Sequence, residues 1–180
     1  MTDINRLANP LPFFSKLPAG SAVIIRHPCK KEQEKLIQSL KTAARRFQIK
    51  LLVSQHMDLA IKYHLDGLHL PEKQLHKYRQ SGRMKRPYPN FLVTCATHNE
   101  ISICTARKIE ADYLFISPVF GTKSHPTQKG LGVMKFQQLA RKATPVKPIA
   151  LGGMTPSSMQ RLSHCLNFSL AGISFTFISK

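Results

Sequence analysis

Two glycines between an apolar segment and a helix start form the clearest candidate anion site in the sequence. Gly152 and Gly153 follow the apolar run 148–151 and precede Thr155 and Pro156, which are typical of a helix cap and first turn. Because glycine has no Cβ, the backbone amides of such a turn can approach an anion closely. The sequence therefore predicts phosphate binding at this turn, and a tight turn without a ligand is the alternative.

A second candidate is the polar loop 117–130, which follows a strongly apolar segment. It contains several hydroxyl side chains, two lysines and a histidine between glycines. Hydroxyl and ammonium groups suit a mono- or diphosphate. We therefore predict that Thr122, Lys123 and Ser124 bind phosphate, with an ordinary solvated loop as the alternative.

Histidines follow four of the apolar segments and could supply acid–base chemistry. His27, His56, His98 and His125 come from four different units of the chain. If the strands form one closed sheet, these side chains meet at one mouth, and His98 is the best general acid or base candidate. A zinc-like triad of His56, His98 and His125 is an alternative to independent polar groups around a phosphate, and the second interpretation is simpler. His69 lies inside an apolar segment and is predicted to be a buried histidine.

These side chains require a parallel sheet to bring them together. Apolar, β-branched segments recur along the chain without polar alternation, as in parallel strands covered on both faces. The predicted strands are residues 22–26, 50–54, 67–70, 91–95, 113–117, 148–151 and 171–177. The proline-rich residues 12–15 are the one place where a remnant of an eighth strand could lie.

Segments of helical period separate the predicted strands. Residues 30–47 form one such segment, and Thr97 with Glu100 reads as a capping box that opens a helix to Ile109. Thr155 and Pro156 open another. The sustained alternation predicts right-handed crossovers and a parallel sheet, either open or closed. We predict an irregular segment over residues 1–20 and a single domain over residues 21–180.

The charge balance predicts an anionic partner. The 180 residues include 27 Lys and Arg but only 9 Asp and Glu, for a net charge of +18. Such a field attracts phosphorylated metabolites, nucleic acid or anionic membrane, although a basic host proteome would give the same excess. The basic residues are spread over several helices without an aromatic stacking platform, which disfavours nucleic acid. No signal peptide or apolar stretch of membrane length is visible, so we expect a cytoplasmic protein.

Four short motifs together resemble the thiamine phosphate synthase and TenI family. They are residues 66–70 (DGLHL), 111–113 (ADY), 117–125 (SPVFGTKSH) and 150–154 (ALGGM), in the order and spacing of that family. The resemblance implies a (β/α)8 TIM barrel. A complete barrel typically needs about 200 to 250 residues. The first βα unit is therefore expected to be missing or shortened.

The resemblance also implies a reaction and a set of site residues. Members of the family join hydroxymethylpyrimidine diphosphate to thiazole phosphate and release pyrophosphate, which makes this chain a candidate transferase of thiamine biosynthesis. On the resemblance, catalytic roles would fall on Ser124 and His125, in addition to His98, which is chosen from its place after a predicted strand. Binding of the substrate phosphates would fall on Arg26, Thr122, Lys123, Ser124, Gly152, Gly153, Phe175 and Thr176.

The family's magnesium site is the main departure. Mg²⁺ is normally anchored by carboxylates, and the two aspartate positions of the family are Gln55 and Gln74 here. Of the remaining carboxylates, only Glu72 and Asp58 lie near a predicted strand end. We therefore expect no metal ligand at Gln55 or Gln74 and a magnesium site that is lost or rebuilt. A non-catalytic phosphate binder or sensor, or a TenI-like protein without magnesium, is the alternative function, and the sequence leaves a homodimer open.

Overall fold

The computed structural model describes residues 1–2, 10–78, 80, 82–122, 129–164 and 168–172. In these residues strands alternate with helices along the chain. The strands are β1 (Ala22–Ile25), β2 (Lys50–Ser54), β3 (Gly67–Leu70), β4 (Leu92–Thr97), β5 (Tyr113–Ile116), β6 (Lys147–Ala150) and β7 (Ser169–Leu170). The α-helices are α1 (Lys30–Arg46), α2 (Met57–Lys62), α3 (Glu72–Leu75), α4 (Glu100–Lys108), α5 (Gly132–Ala143) and α6 (Pro156–Arg161).

The described residues form two compact units. The first contains Met1–His69 and Arg86–Leu92, and the second contains Leu70–Lys85 and Val93–Phe175. In unit 1 the strands pair in parallel in chain order, with Val23 opposite Leu51 and Val53 opposite Leu68.

Unit 2 repeats the same parallel, chain-order pairing. Cys95 lies opposite Leu114, Phe115 lies opposite Ile149, and β7 pairs with β6. All four residues of β3 and the last three of β5 are buried, which explains why their sequences are apolar throughout rather than alternating.

The parallel α/β architecture predicted from the sequence is confirmed, whereas closure into an eight-stranded barrel is not shown. The described part of the chain contains seven strands. The segment considered as an eighth strand is instead a 3-10 helix, Leu11–Lys16, with Phe14 buried. Pro12 lies in its first turn, where the fixed φ of proline suits a helix and its missing N–H costs nothing. The assignment of a single domain stays a prediction.

One helix prediction needs correction in detail. Helix α4 is capped by Asn99, whose side chain accepts from the Ser102 amide at 2.9 Å, and not by Thr97. Strand β4 continues through Thr97, which is fully buried, so the predicted capping box lies two residues too early. By contrast, Thr155 and Pro156 open α6 as predicted. Within the described ranges no helix is long and apolar enough to cross a bilayer.

Candidate active site

The glycine turn after β6 adopts a backbone conformation that favours glycine. Gly152 has a φ of 98° and Gly153 a φ of 66°. L-residues with a side chain rarely occupy this left-handed region, because their Cβ crowds the backbone. The two glycines are therefore required by the turn itself.

The same turn packs directly against the loop after β5. The Val119 amide donates to the Leu151 carbonyl at 2.9 Å, and the Phe120 amide donates to the Gly152 carbonyl at 3.1 Å. A Cβ on Gly153 would lie only 2.6 Å from the Gly121 carbonyl oxygen. The absence of side chains at the turn thus brings the two predicted phosphate loops into contact.

The amides of the turn remain available to a ligand. Within the described chain, the Gly152 and Gly153 N–H groups donate to no acceptor. The Ser158 amide in the first turn of α6 already has an acceptor, because it donates to the Thr155 hydroxyl at 3.2 Å. The Ser158 hydroxyl in turn donates to the Gly153 carbonyl at 2.9 Å, which fixes the turn. These two free amides can bind an anionic oxygen.

The surroundings of the turn add a hydroxyl and a cation. A Cβ on Gly152 would lie 3.3 Å from Thr122 Cγ2, so Thr122 is beside the turn as predicted. The Arg161 guanidinium stacks over the Phe120 ring at 4.8 Å from its centroid. Arg161 was not predicted as a site residue from the sequence. It lies in the last turn of α6, where a basic residue ordinarily complements the helix dipole.

His98 follows β4 and is held between a carbonyl and a carboxylate. Its Nδ1 makes a short hydrogen bond with the Ser117 carbonyl, and its Nε2 lies 3.8 Å from Glu72 Oε2. Because a carbonyl only accepts, Nδ1 carries the hydrogen in neutral His98 and Nε2 carries the lone pair. The side chain is 43% exposed, so Nε2 can exchange a proton with a ligand or water. This geometry suits the predicted acid–base role.

Glu72 lies at the start of α3, and its other oxygen fixes the start of α4. Glu72 Oε1 accepts from the Asn99 side chain at 3.0 Å and from the His98 amide at 3.3 Å. Ser117, which His98 contacts, precedes Pro118, against which Gly152 packs. A continuous set of contacts therefore links Glu72 to the glycine turn within unit 2.

Unit 1 carries the remaining described candidate, Arg26. It follows β1 and is exposed, and its backbone N–H and C=O both bond to the Thr2 hydroxyl, at 2.7 Å and 3.0 Å. Gln33 is a buried residue of α1 that was not predicted from the sequence. Its Nε2 donates to the carbonyls of Ile25 and Ser54, at 3.0 Å and 3.1 Å. Gln33 therefore ties the last residues of β1 and β2, next to Arg26.

His69 in β3 is buried, as predicted. Burial, and secondarily the charge of Arg26, lowers the pKa of His69 to about 3. The imidazole is therefore neutral at physiological pH and does not serve as a cation for phosphate.

The other predicted site residues lie outside the described residues. These are Lys123, Ser124, His125, Phe175 and Thr176. Their roles stay predictions. Of the residues that are described, Thr122, Gly152 and Gly153 lie together, and His98 connects to them through Ser117 and Pro118.

The donor set does not fit the magnesium site implied by the family resemblance. Gln55 follows β2 with a φ of 77°, and Gln74 lies in α3, so both positions offer neutral amides where the resemblance implies carboxylates. In the described ranges there is no group of three His, Cys, Asp or Glu side chains that could hold a metal. This includes His56 and His98, while His125 of the proposed zinc-like triad lies outside those ranges.

Comparison with known proteins shows the family of the chain. Residues 16–175 match the family model of thiamine monophosphate synthase. The chain is 30% identical over 147 residues to a putative thiamine-phosphate synthase 2 of Aquifex aeolicus, covering 80% of this chain and 75% of that protein. It is 28% identical over 152 residues to a thiamine-phosphate synthase of Koribacter versatilis, covering 83% of this chain and 71% of that one.

A solved structure shares the fold. Thiamine phosphate pyrophosphorylase from Pyrococcus furiosus aligns with a TM-score of 0.70 and 16% identity, over 94% of this chain and 81% of that chain. At this identity the match supports the fold alone. It supports a TIM-like α/β architecture for the described strands and helices.

Proposed function

The chain belongs to the thiamine monophosphate synthase family, and from this premise we propose that it joins hydroxymethylpyrimidine diphosphate to thiazole phosphate to form thiamine phosphate. The relatives are named thiamine-phosphate synthases, which makes the chain a transferase of thiamine biosynthesis. The observation that carries the proposal is the glycine turn, whose two free amides face no acceptor in the described chain.

In this reaction the C–O bond to the diphosphate breaks and its electron pair leaves on the diphosphate. The thiazole nitrogen lone pair then forms the new C–N bond with the pyrimidine methylene carbon. Negative charge grows on the departing diphosphate, so preorganised donors and cations around it lower the barrier. The protein's task is therefore to bind and orient two phosphate-bearing substrates.

Each substrate phosphate has candidate ligands. The Gly152 and Gly153 amides would bind the thiazole phosphate, together with the backbone at Phe175 and Thr176. Thr122, Lys123 and Ser124 would bind the leaving diphosphate, and Arg26 of unit 1 stays a candidate phosphate ligand from the family resemblance.

Proton transfer has its own candidates. The C–O and C–N bond changes themselves move no proton, so His98 at Nε2, and His125 with Ser124, would exchange a proton only with the oxygens of the departing diphosphate. These residue roles, like the cytoplasmic location and a homodimer, are part of the proposal.

The proposal is tested by turnover. Purified protein is incubated with both substrates, with and without Mg²⁺, and thiamine phosphate is detected by fluorescence after oxidation. We expect product above the protein-free reaction, and loss of product in Gly153→Ala but not in Gly82→Ala. Gly82 is a matched control because an added Cβ there meets no atom within 4 Å. Absence of product at protein concentrations where a relative works would contradict synthase activity and favour a phosphate-binding protein without catalysis.

A further inference from the structure

We propose that this chain binds its phosphorylated substrates without Mg²⁺, because the carboxylates of the described residues are engaged in other contacts and Glu72 holds His98 instead of a metal. The inference rests on the proposed function, since it concerns the same phosphate sites. It follows from where each described carboxylate lies and what it contacts.

Mg²⁺ demands oxygen ligands at about 2.0–2.1 Å in near-octahedral geometry and is usually held by one or two carboxylates in addition to phosphate oxygens. A neutral amide oxygen gives no charge to attract the ion. Gln55 and Gln74 therefore cannot replace two aspartates, because they supply no negative charge and their side chains are one methylene longer. A magnesium site would therefore need a carboxylate from another residue as its ligand.

The described carboxylates of unit 1 lie away from the predicted site or are paired with lysines. Asp66 precedes β3, at the end of the strand opposite the predicted site, and its Oδ2 accepts from the Leu51 amide at 2.8 Å. The helix carboxylates form exposed ion pairs with lysines: Asp58 with Lys30, Glu32 with Lys35, and Glu34 with Lys62. Each of these three already has a cationic partner.

Unit 2 repeats this arrangement. Asp112 precedes β5, and its Oδ2 accepts from the Val93 amide at 2.7 Å. The two exposed glutamates bind basic side chains: Glu110 with Arg83 at 2.9 Å, and Glu100 with Lys142 at 2.6 Å. Asp66 and Asp112 thus have equivalent structural roles in the two units. Each accepts a hydrogen bond from a backbone amide of a neighbouring strand.

Glu72 is the one described carboxylate of unit 2 that follows a strand at the site end. It comes two residues before Gln74, and it is the obvious candidate for a rebuilt metal site. Its Oε1, however, accepts from Asn99 and the His98 amide, and its Oε2 faces the His98 ring. Its negative charge is thus directed at the start of α4 and at the His98 ring.

Cations of the protein can supply the charge that Mg²⁺ would otherwise bring. Lys and Arg outnumber Asp and Glu by 27 to 9. Arg161 stacks on Phe120 beside the glycine turn, and no carboxylate pairs with it among the described residues. Fixed guanidinium and ammonium groups neutralise phosphate without a metal.

The decisive experiment measures binding of inorganic pyrophosphate to the full chain by calorimetry, in EDTA and in millimolar Mg²⁺ at equal ionic strength. We expect the Kd in EDTA to be equal to, or lower than, the Kd in Mg²⁺, since Mg²⁺ also complexes free pyrophosphate. Tightening by about tenfold or more with Mg²⁺ would overturn the inference while leaving phosphate binding intact. Absence of binding in both buffers would instead contradict the proposed function.

Carboxylate variants test the cause. Gln55→Asp with Gln74→Asp should weaken pyrophosphate binding in EDTA by about tenfold and recover it in Mg²⁺. Gln55→Asn with Gln74→Asn preserves neutral amides and should behave as the native chain. If the Asp variant remains indifferent to Mg²⁺, missing carboxylates are not the reason for metal independence. If Glu72→Gln weakens pyrophosphate binding in Mg²⁺ but not in EDTA, Glu72 is a metal ligand and the inference fails.

Discussion

Gly153 in the glycine turn has two separate roles, one in packing and one in ligand binding. Gly153 is needed for its left-handed backbone and for the close approach of Gly121, and it also leaves an amide open to an anion. The packing role means that substitution should affect folding as well as binding.

We expect Gly153→Ala to destabilise the protein by about 1–3 kcal/mol, since a Cβ adds left-handed strain and a clash with backbone. The new Cβ would lie 2.6 Å from the Gly121 oxygen. Urea unfolding measures the change, with Gly82→Ala as a control expected to stay near the native value. Equal stability of the two variants would mean that the two loops do not pack as described.

His69 gives a residue-scale prediction about pH. Its pKa is lowered from 6.5 to about 3 by burial and by Arg26. Between these values the unfolded chain binds a proton that folded His69 does not, so stability falls as the pH falls from 6.5 towards 3, by up to about 1.4 kcal/mol per pH unit. Above pH 6.5 the contribution is constant.

The measurement is urea unfolding at several pH values for the native chain and for His69→Gln. The variant should lose less stability on acidification, because its side chain does not titrate. Parallel pH profiles for the two proteins would show that His69 is accessible to protons in the folded state.

At the scale of elements, helix starts position the site. Asn99 caps α4 and also binds Glu72, so the start of this helix, the carboxylate and His98 form one connected group. Thr155 caps α6 by accepting from the Ser158 amide, and the Ser158 hydroxyl also donates to the Gly153 carbonyl. The helices thus fix the loops that would bind phosphate.

We expect Asn99→Ala to cost about 1 kcal/mol of stability through loss of the cap. It should also lower kcat more than it raises KM, since Glu72 loses a partner that fixes it beside His98 while the glycine turn stays intact. Asn99→Asp keeps the cap acceptor but puts a carboxylate beside Glu72. This variant should therefore retain stability near neutral pH better than the alanine variant and still lose activity. Full activity in both variants would contradict a role for the Glu72–His98 pair.

At the scale of the whole molecule, the positive charge favours anions in general. A net charge of +18 opposes compaction, and any salt relieves this repulsion. A specific phosphate site adds a separate stabilisation that depends on ligand concentration. Comparison of salts at equal ionic strength distinguishes the two effects.

We expect inorganic phosphate to raise the Tm above that in chloride of equal ionic strength. At tenfold above its Kd, phosphate adds about 1.4 kcal/mol, or about 3 to 6 °C for a chain of this size. The increment should vanish in Gly153→Ala and persist in Gly82→Ala, as read by thermal unfolding. Identical Tm values in the two salts would indicate only general screening of charge.

The sequence by itself determined the order of strands and helices, the family and the location of the glycine turn, because apolar periodicity and glycine spacing are local properties. β2 and β3 occur at the predicted residues, and α6 begins at the predicted cap. The sequence did not reveal that Thr97 belongs to β4, because a capping pattern carries no information about where the preceding strand ends.

Only the tertiary structure decided which side chains meet. Glu72, His98 and Ser117 are far apart in sequence, and their contacts form only when unit 2 is folded, with β4 and β5 paired side by side. The role of Gln33 likewise appears only when β1 and β2 are paired. Such contacts arise from long-range packing, and for that reason the sequence could name His98 but could not name the carboxylate that holds it.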